Sequence, residues 1–178
     1  MSIDVPIIRP SQMRHPLVCE NADFSNWNNK GKTVWWAKGE KPNPANEVEA
    51  AKMKKMLLLR DRLLSFGGEQ ACMPLTEEDY AAIMQRGQLF YGKGTRFRKG
   101  QPSQCHLNAC LLWEVNKGYC QIATGYALSK DGMWRQHSWV VQPLATKYRV
   151  WETTEGRVAY FGFIMTDEEC ELFCRANW

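Results

Sequence analysis

The chain has 178 residues, 44% of them hydrophobic and 24% charged, with a formal net charge of +4. A single domain of this size buries roughly 70% of the surface its unfolded chain exposes, and the composition excludes collagen-like and disordered classes. No apolar run is long enough for a membrane-spanning helix, and the basic excess is confined to Met1–Gln104, with 16 Lys and Arg against 11 Asp and Glu.

The opening MSIDVPIIRPSQMRHP has too short and too interrupted an apolar run for a secretory signal. A cytoplasmic location is therefore expected, with signal-independent secretion left open. Residues 1–45, rich in Pro, Asn, Gly and Trp, read as an irregular wrap on a core, and residues 46–100 as a helical subregion. Asn46 caps a first helix with Glu49 in the reciprocal position. Val48, Met56, Leu59, Leu63 and Phe66 follow at helical spacing, and Gly67-Gly68 ends the run. Thr76 signals a second helix, with Glu77, Glu78 and Asp79 in its first turn and Tyr80, Ile83 and Met84 behind them before Gly87. Tyr91–Gly100 reads as a glycine-punctuated basic loop.

Residues 101–178 change character. A third helix is expected to open with Ser103 as its cap and to run through CHLNACLLWEVN, with Leu107, Leu111, Leu112 and Val115 as its apolar side. Tyr119–Leu128, Met133–Gln142, Tyr148–Thr154 and Val158–Ile164 are β-branched and aromatic stretches divided by turn residues, the pattern of an antiparallel meander of about four strands. Thr166 and Glu169 form a capping box for a closing C-terminal helix. Helices followed by sequential strands predict one α+β domain spanning 1–178.

Seven cysteines is an odd number, so at least one thiol is free, and without a secretory signal all are expected to be reduced. Cys110, Cys120, Cys170 and Cys174 read as small buried hydrophobes. Cys105 differs, because a first-turn position places its sulfur near unpaired backbone N–H groups that stabilise a thiolate. Its neighbour His106 points about 100° away on a helix and is not expected to share a proton with it. His137, on a strand, is the expected base. If Pro143–Thr146 is the turn, Gln142 pairs with Lys147 and His137 lies opposite Glu152, on the face against which the Cys105 helix packs. A carboxylate there would fix the imidazole tautomer, and both side chains are expected to line an open cleft.

This order, a Cys at a helix start (QPSQCHLNAC), a His on a strand (QHSWVV) and a polar residue on the next strand (VWETT), resembles the papain-like superfamily of cysteine hydrolases and acyltransferases, including NlpC/P60 peptidases and transglutaminase-like proteins. The resemblance covers about residues 100–164. It implies a papain-like core with Cys105 as nucleophile, His137 as general base and acid and Glu152 as orienting residue. It also implies that Gln101 or Gln104 helps the Cys105 N–H form an oxyanion site. Peptidase, deamidase and acyltransferase share that first step, and a protein or peptide-like substrate is expected.

The competing reading is a non-catalytic interaction protein whose Trp35 and Trp36 present a binding surface. No cofactor or metal is expected, because neither Cys105, His106 and Cys110 nor Cys170 and Cys174 have the C-x₂-C spacing of structural zinc sites. Phe90, Tyr91 and Phe97 beside the basic loop could stack on bases, but no complete RNA-binding signature is present and no nucleic-acid partner is expected.

Overall fold

A computed structural model describes residues 33–37, 39, 44, 46–74 and 77–178, the first of these segments by backbone alone. The elements in chain order are β1 (Thr33–Ala37), α1 (Glu47–Ser65), β2 (Gln70–Pro74), α2 (Tyr80–Arg86), β3 (Gln88–Tyr91) and β4 (Arg96–Phe97). They continue with α3 (Cys105–Glu114), β5 (Gln121–Leu128), β6 (Met133–Pro143), β7 (Tyr148–Glu152), β8 (Ala159–Ile164) and α4 (Asp167–Asn177). The α+β class holds. The irregular wrap is corrected at β1, which pairs antiparallel with β2, and the helical subregion also contributes β2, β3 and β4. Trp27 and the rest of the expected wrap lie outside the described residues.

Local signals fix the long helices. The Asn46 side chain accepts from Glu49 N at 2.9 Å, and α1 buries Met56, Leu59 and Leu63, while Val48 in its first turn is exposed. In α4, Thr166 and Glu169 make the complete reciprocal box. Glu169 also receives both Arg86 guanidinium nitrogens, at 2.6 and 2.8 Å, which ties α2 to α4 through a buried ion pair.

Two expected helix starts move. The Thr76 cap lies outside the described residues, and α2 begins at Tyr80, leaving Glu77 ahead of the helix and buried. The Tyr126 hydroxyl donates to Glu77, as does Gln136 Nε2 at 3.0 Å, so two strand side chains claim a carboxylate assigned to the helix dipole. Burial raises its pKa. In α3 the buried face is Asn108, Ala109, Cys110 and Trp113, while Leu111 and Val115 are exposed. Small Ala109 and Cys110 let the helix axis come close to the sheet, which the leucines would not.

The strands form one curled, mixed sheet instead of a four-stranded antiparallel meander. Strand β6 is its pivot. One edge pairs along its length with β5; the other pairs first with β2, in parallel over Met133–Arg135, and then with β7, antiparallel over Val140–Pro143. Strand β8 does not continue beside β7 but crosses to the far edge of β5. The β7 edge is already taken: β4 pairs with it in parallel, and Arg98 N and Gly100 N donate to the carbonyls of Glu152 and Thr153.

Each sheet face has its own apolar cluster. The helices cover Tyr126, Trp134, Phe161 and Phe163 on one face, and Phe90, Trp139, Val141, Val150 and Tyr160 pack together on the other. Among the described residues no helix is long and apolar enough to cross a membrane.

Candidate active site

The segment before α3 is anchored to the helix it starts. Asn108 accepts from Gln101 N at 2.9 Å through Oδ1 and donates to Gln101 O at 2.7 Å through Nδ2. Gly100 makes that contact possible, since a Cβ there would stand 2.4 Å from Asn108 Cγ. Ser103 is the one non-glycine residue with positive φ among those described, at 58°. It does not cap the helix. The cap position belongs to Gln104, which makes no side-chain capping bond, and Cys105 is the first helical residue. The first-turn N–H groups of α3 therefore remain uncapped by any side chain, and their field favours an anion at Cys105. Gln101 and Gln104 are both exposed, and neither side chain makes a hydrogen bond among the described residues.

His137 and Glu152 meet as expected, though not by the expected alignment. The β6–β7 ladder pairs Pro143 with Tyr148 and Val140 with Trp151. Extending it sets Glu152 beside Trp139, one diagonal from His137. The turn is Leu144–Lys147, one residue later on both strands than the spacing predicts, and a slip on both strands preserves the face. His137 Nε2 reaches Glu152 Oε2 at 2.9 Å and Oε1 at 3.2 Å.

Neither residue lines an open cleft: His137 is 2% exposed and Glu152 is fully buried. Glu152 also accepts from Thr153 N and Thr154 N, each at 2.8 Å, from Thr154 Oγ1 at 2.9 Å and from the Tyr160 hydroxyl at 3.0 Å. The His137 ring packs against both Trp139 and Tyr160, which also touch each other. Where the ring sits, β5 and β8 approach closely through Gly125 and Gly162; a Cβ on Gly162 would stand 2.1 Å from Thr124 O.

Cys105 meets two imidazoles. Both rings act on its sulfur through charge and hydrogen bonding. His106 is thus the residue that sequence reasoning set aside, on a helical-neighbour argument that ignores where the ring is pulled from outside the helix. His106 Nδ1 lies 2.8 Å from Ser138 Oγ, on the β6 face opposite His137. The body of α3 packs on this Ser138 face, with Ala109, Cys110 and Trp113 among its core residues, which corrects the expectation that it covers the His137 face. The two rings converge because β6 has no ladder partner from Gln136 to Trp139 on its outer edge, between the end of β2 and the start of β7. The N-terminus of α3 stands at that gap.

The electrostatics follow from this arrangement. Burial opposes ionisation of Cys105, but the charges and hydrogen bonds of His106 and His137 outweigh it and hold the thiol well below its ordinary range. Burial likewise opposes a charged His137, yet the Cys105 sulfur and the Glu152 carboxylate push its pKa up to about 9. Burial would raise Glu152, but His137 and the Thr154 donors hold it at about 2. Together these shifts describe a thiolate–imidazolium pair with a carboxylate behind it.

The other cysteines contrast with this one. Cys110, Cys120, Cys170 and Cys174 are buried, and none of the six described cysteines is in a disulfide. Burial pushes Cys120 up to about 12 and raises Cys170; a hydrogen bond with Cys174, together with burial, raises Cys110. Among the described residues no group of three or more His, Cys, Asp or Glu is placed to hold a metal ion. Phe90 is buried edge-on against Trp139 and is not a stacking surface, whereas Tyr91 and Phe97 are exposed. Trp35 and Trp36 lie in β1, and their side chains are outside the described residues.

No protein-family model matches the chain, and neither a curated protein nor a solved structure matches it.

Proposed function

We propose that the chain is a cysteine-dependent hydrolase or acyltransferase, with the papain-like order of Cys105, His137 and Glu152 and a protein or peptide-like substrate. The observation that carries this reading is the commitment of His137 Nε2 to Glu152, which leaves Nδ1 for the sulfur of Cys105 at a helix N-terminus. A buried imidazole locked by a carboxylate beside a partly exposed thiol is poorly explained by packing alone, because each buried polar group costs stability unless it is paired.

The chemistry is acyl transfer. The thiolate attacks the carbonyl carbon of an amide or ester, and the electron pair moves to the carbonyl oxygen. Uncapped first-turn N–H groups of α3 are suited to stabilise that oxygen. Collapse of the tetrahedral adduct expels the amine or alcohol, which takes the His137 proton, and leaves a thioester on Cys105. A water molecule or second nucleophile then gives its proton to His137 and displaces the acyl group, restoring thiolate and imidazolium. Glu152 keeps the ring oriented through both half-reactions.

The test is an activated acyl ester, followed by leaving-group release and by intact mass. Wild type should gain one acyl group on Cys105 and Cys105→Ala none. Release that is undiminished in Cys105→Ala would remove the proposed nucleophile.

A further inference from the structure

We propose that His106 is a second catalytic residue, a fixed Nε2–H donor to the Cys105 sulfur whose tautomer is set by the buried Thr124–Ser138 hydroxyl pair. The inference rests on the reading of Cys105 as the nucleophile and assigns a role that the Cys–His–Glu order does not contain.

Thr124 and Ser138 are a cross-strand pair of β5 and β6, both fully buried, with their hydroxyl oxygens 2.9 Å apart. Ser138 Oγ is in turn 2.8 Å from His106 Nδ1. Each hydroxyl has one hydrogen to give. If Thr124 donates to Ser138 and Ser138 donates to Nδ1, both hydrogens are used and the chain ends at the ring nitrogen. Run in reverse, Nδ1–H donates to Ser138 and Ser138 to Thr124, which strands the Thr124 hydrogen in a buried site where its hydroxyl has no other bond among the described residues. An unmet buried donor is costly, so the first direction is favoured. It leaves Nδ1 an acceptor and puts the ring hydrogen on Nε2. Phe173 closes on the ring edge-to-face, with centroids 5.7 Å apart, and limits its rotation.

The two imidazoles then divide the work. His137, whose Nε2 is taken by Glu152, gains and loses the Nδ1 proton during turnover. His106 keeps its Nε2 hydrogen throughout and supplies a steady donor to the sulfur. The titratable groups around the thiol are His106 from its own helix, His137 from β6 and, behind His137, Glu152 from β7.

Two measurements on the full chain test this, and neither needs a substrate. The imidazole nitrogen shifts of His106 in wild-type protein should show a protonated Nε2 and a bare Nδ1, and Ser138→Ala should shift the ring toward a tautomer mixture. The Nδ1–H tautomer in wild type would overturn the proposal. Second, the iodoacetamide rate at Cys105 at pH 6 should fall roughly tenfold, the worth of one hydrogen bond to a charged group, in His106→Leu, which removes the ring donor. An unchanged rate in folded His106→Leu would also overturn it. If instead both results hold and no acyl transfer is found with any probe, the proposed reaction fails while the role of His106 in holding the thiolate stands.

Discussion

His137 and Glu152 stand one diagonal apart on neighbouring strands, and the carboxylate still closes on the ring nitrogen at 2.9 Å. Glu152 bends toward His137 because its position is over-determined. Two backbone N–H groups and the Thr154 hydroxyl, from the turn just after β7, grip Oε1, while the Tyr160 hydroxyl and the imidazole share Oε2. The carboxylate is therefore part of the core as well as of the site.

That double role sets the expected cost of Glu152→Gln. An amide turns an –NH₂ toward groups that are themselves donors. The shift of the carboxyl from 4.5 to about 2 corresponds to roughly 3 kcal/mol of stability. The folded pKa is depressed, so this contribution is full above the unfolded value and is lost as pH falls through about 2. Denaturant titration should find the variant less stable by about that amount at pH 7, with the gap closing in strong acid. A gap below about 0.5 kcal/mol at pH 7 would mean that the carboxylate is not held as described.

Cys105 should be alkylated first among the seven cysteines, with a rate less dependent on pH than an ordinary thiol's, because the two imidazoles hold its ionisation well below the usual range. Cys110, Cys120 and Cys170 should lag, since each has its ionisation pushed up in a buried setting. Peptide mapping after brief iodoacetamide treatment reads the order directly. Labelling of Cys72, the other partly exposed described thiol, ahead of Cys105 would contradict the site.

Acyl transfer and alkylation should separate at high pH. Release of an amine or alkoxide leaving group needs the His137 proton, and that imidazolium is lost as pH rises through about 9. Turnover of such a probe should fall there, whereas alkylation of the thiolate should not. Parallel declines in both rates would point to unfolding instead of deprotonation of His137.

Gly100→Ala should damage the site from outside it. The new methyl meets Asn108, whose paired hydrogen bonds to Gln101 seat the start of α3. Relief requires the loop or the helix to shift, at a cost of about 1–3 kcal/mol. The expected result is a lowered melting temperature together with a slower, more pH-dependent alkylation of Cys105. A fully stable variant with unchanged Cys105 reactivity would show that the loop does not position the thiol.

What could be read from the residues was whatever is settled within a few positions along the chain. Asn46 with Glu49 and Thr166 with Glu169 mark helix starts because the cap and the N–H it serves are neighbours, and alternation found β5, β6, β7 and β8 within a residue or two. The candidates Cys105, His137 and Glu152 came from the same local signals, and the slip in the β6–β7 register left them together only because it moved both strands. Long-range competition settled the rest. β8 went to β5 because Arg96–Gly100 had taken the edge of β7; Glu77 left the helix start because Tyr126 and Gln136 offered it hydrogens. His106 turned to the sulfur because Ser138 holds its other nitrogen. Each of these outcomes joins residues far apart in the chain, and no periodicity or cap encodes which partner is free until the sheet has closed.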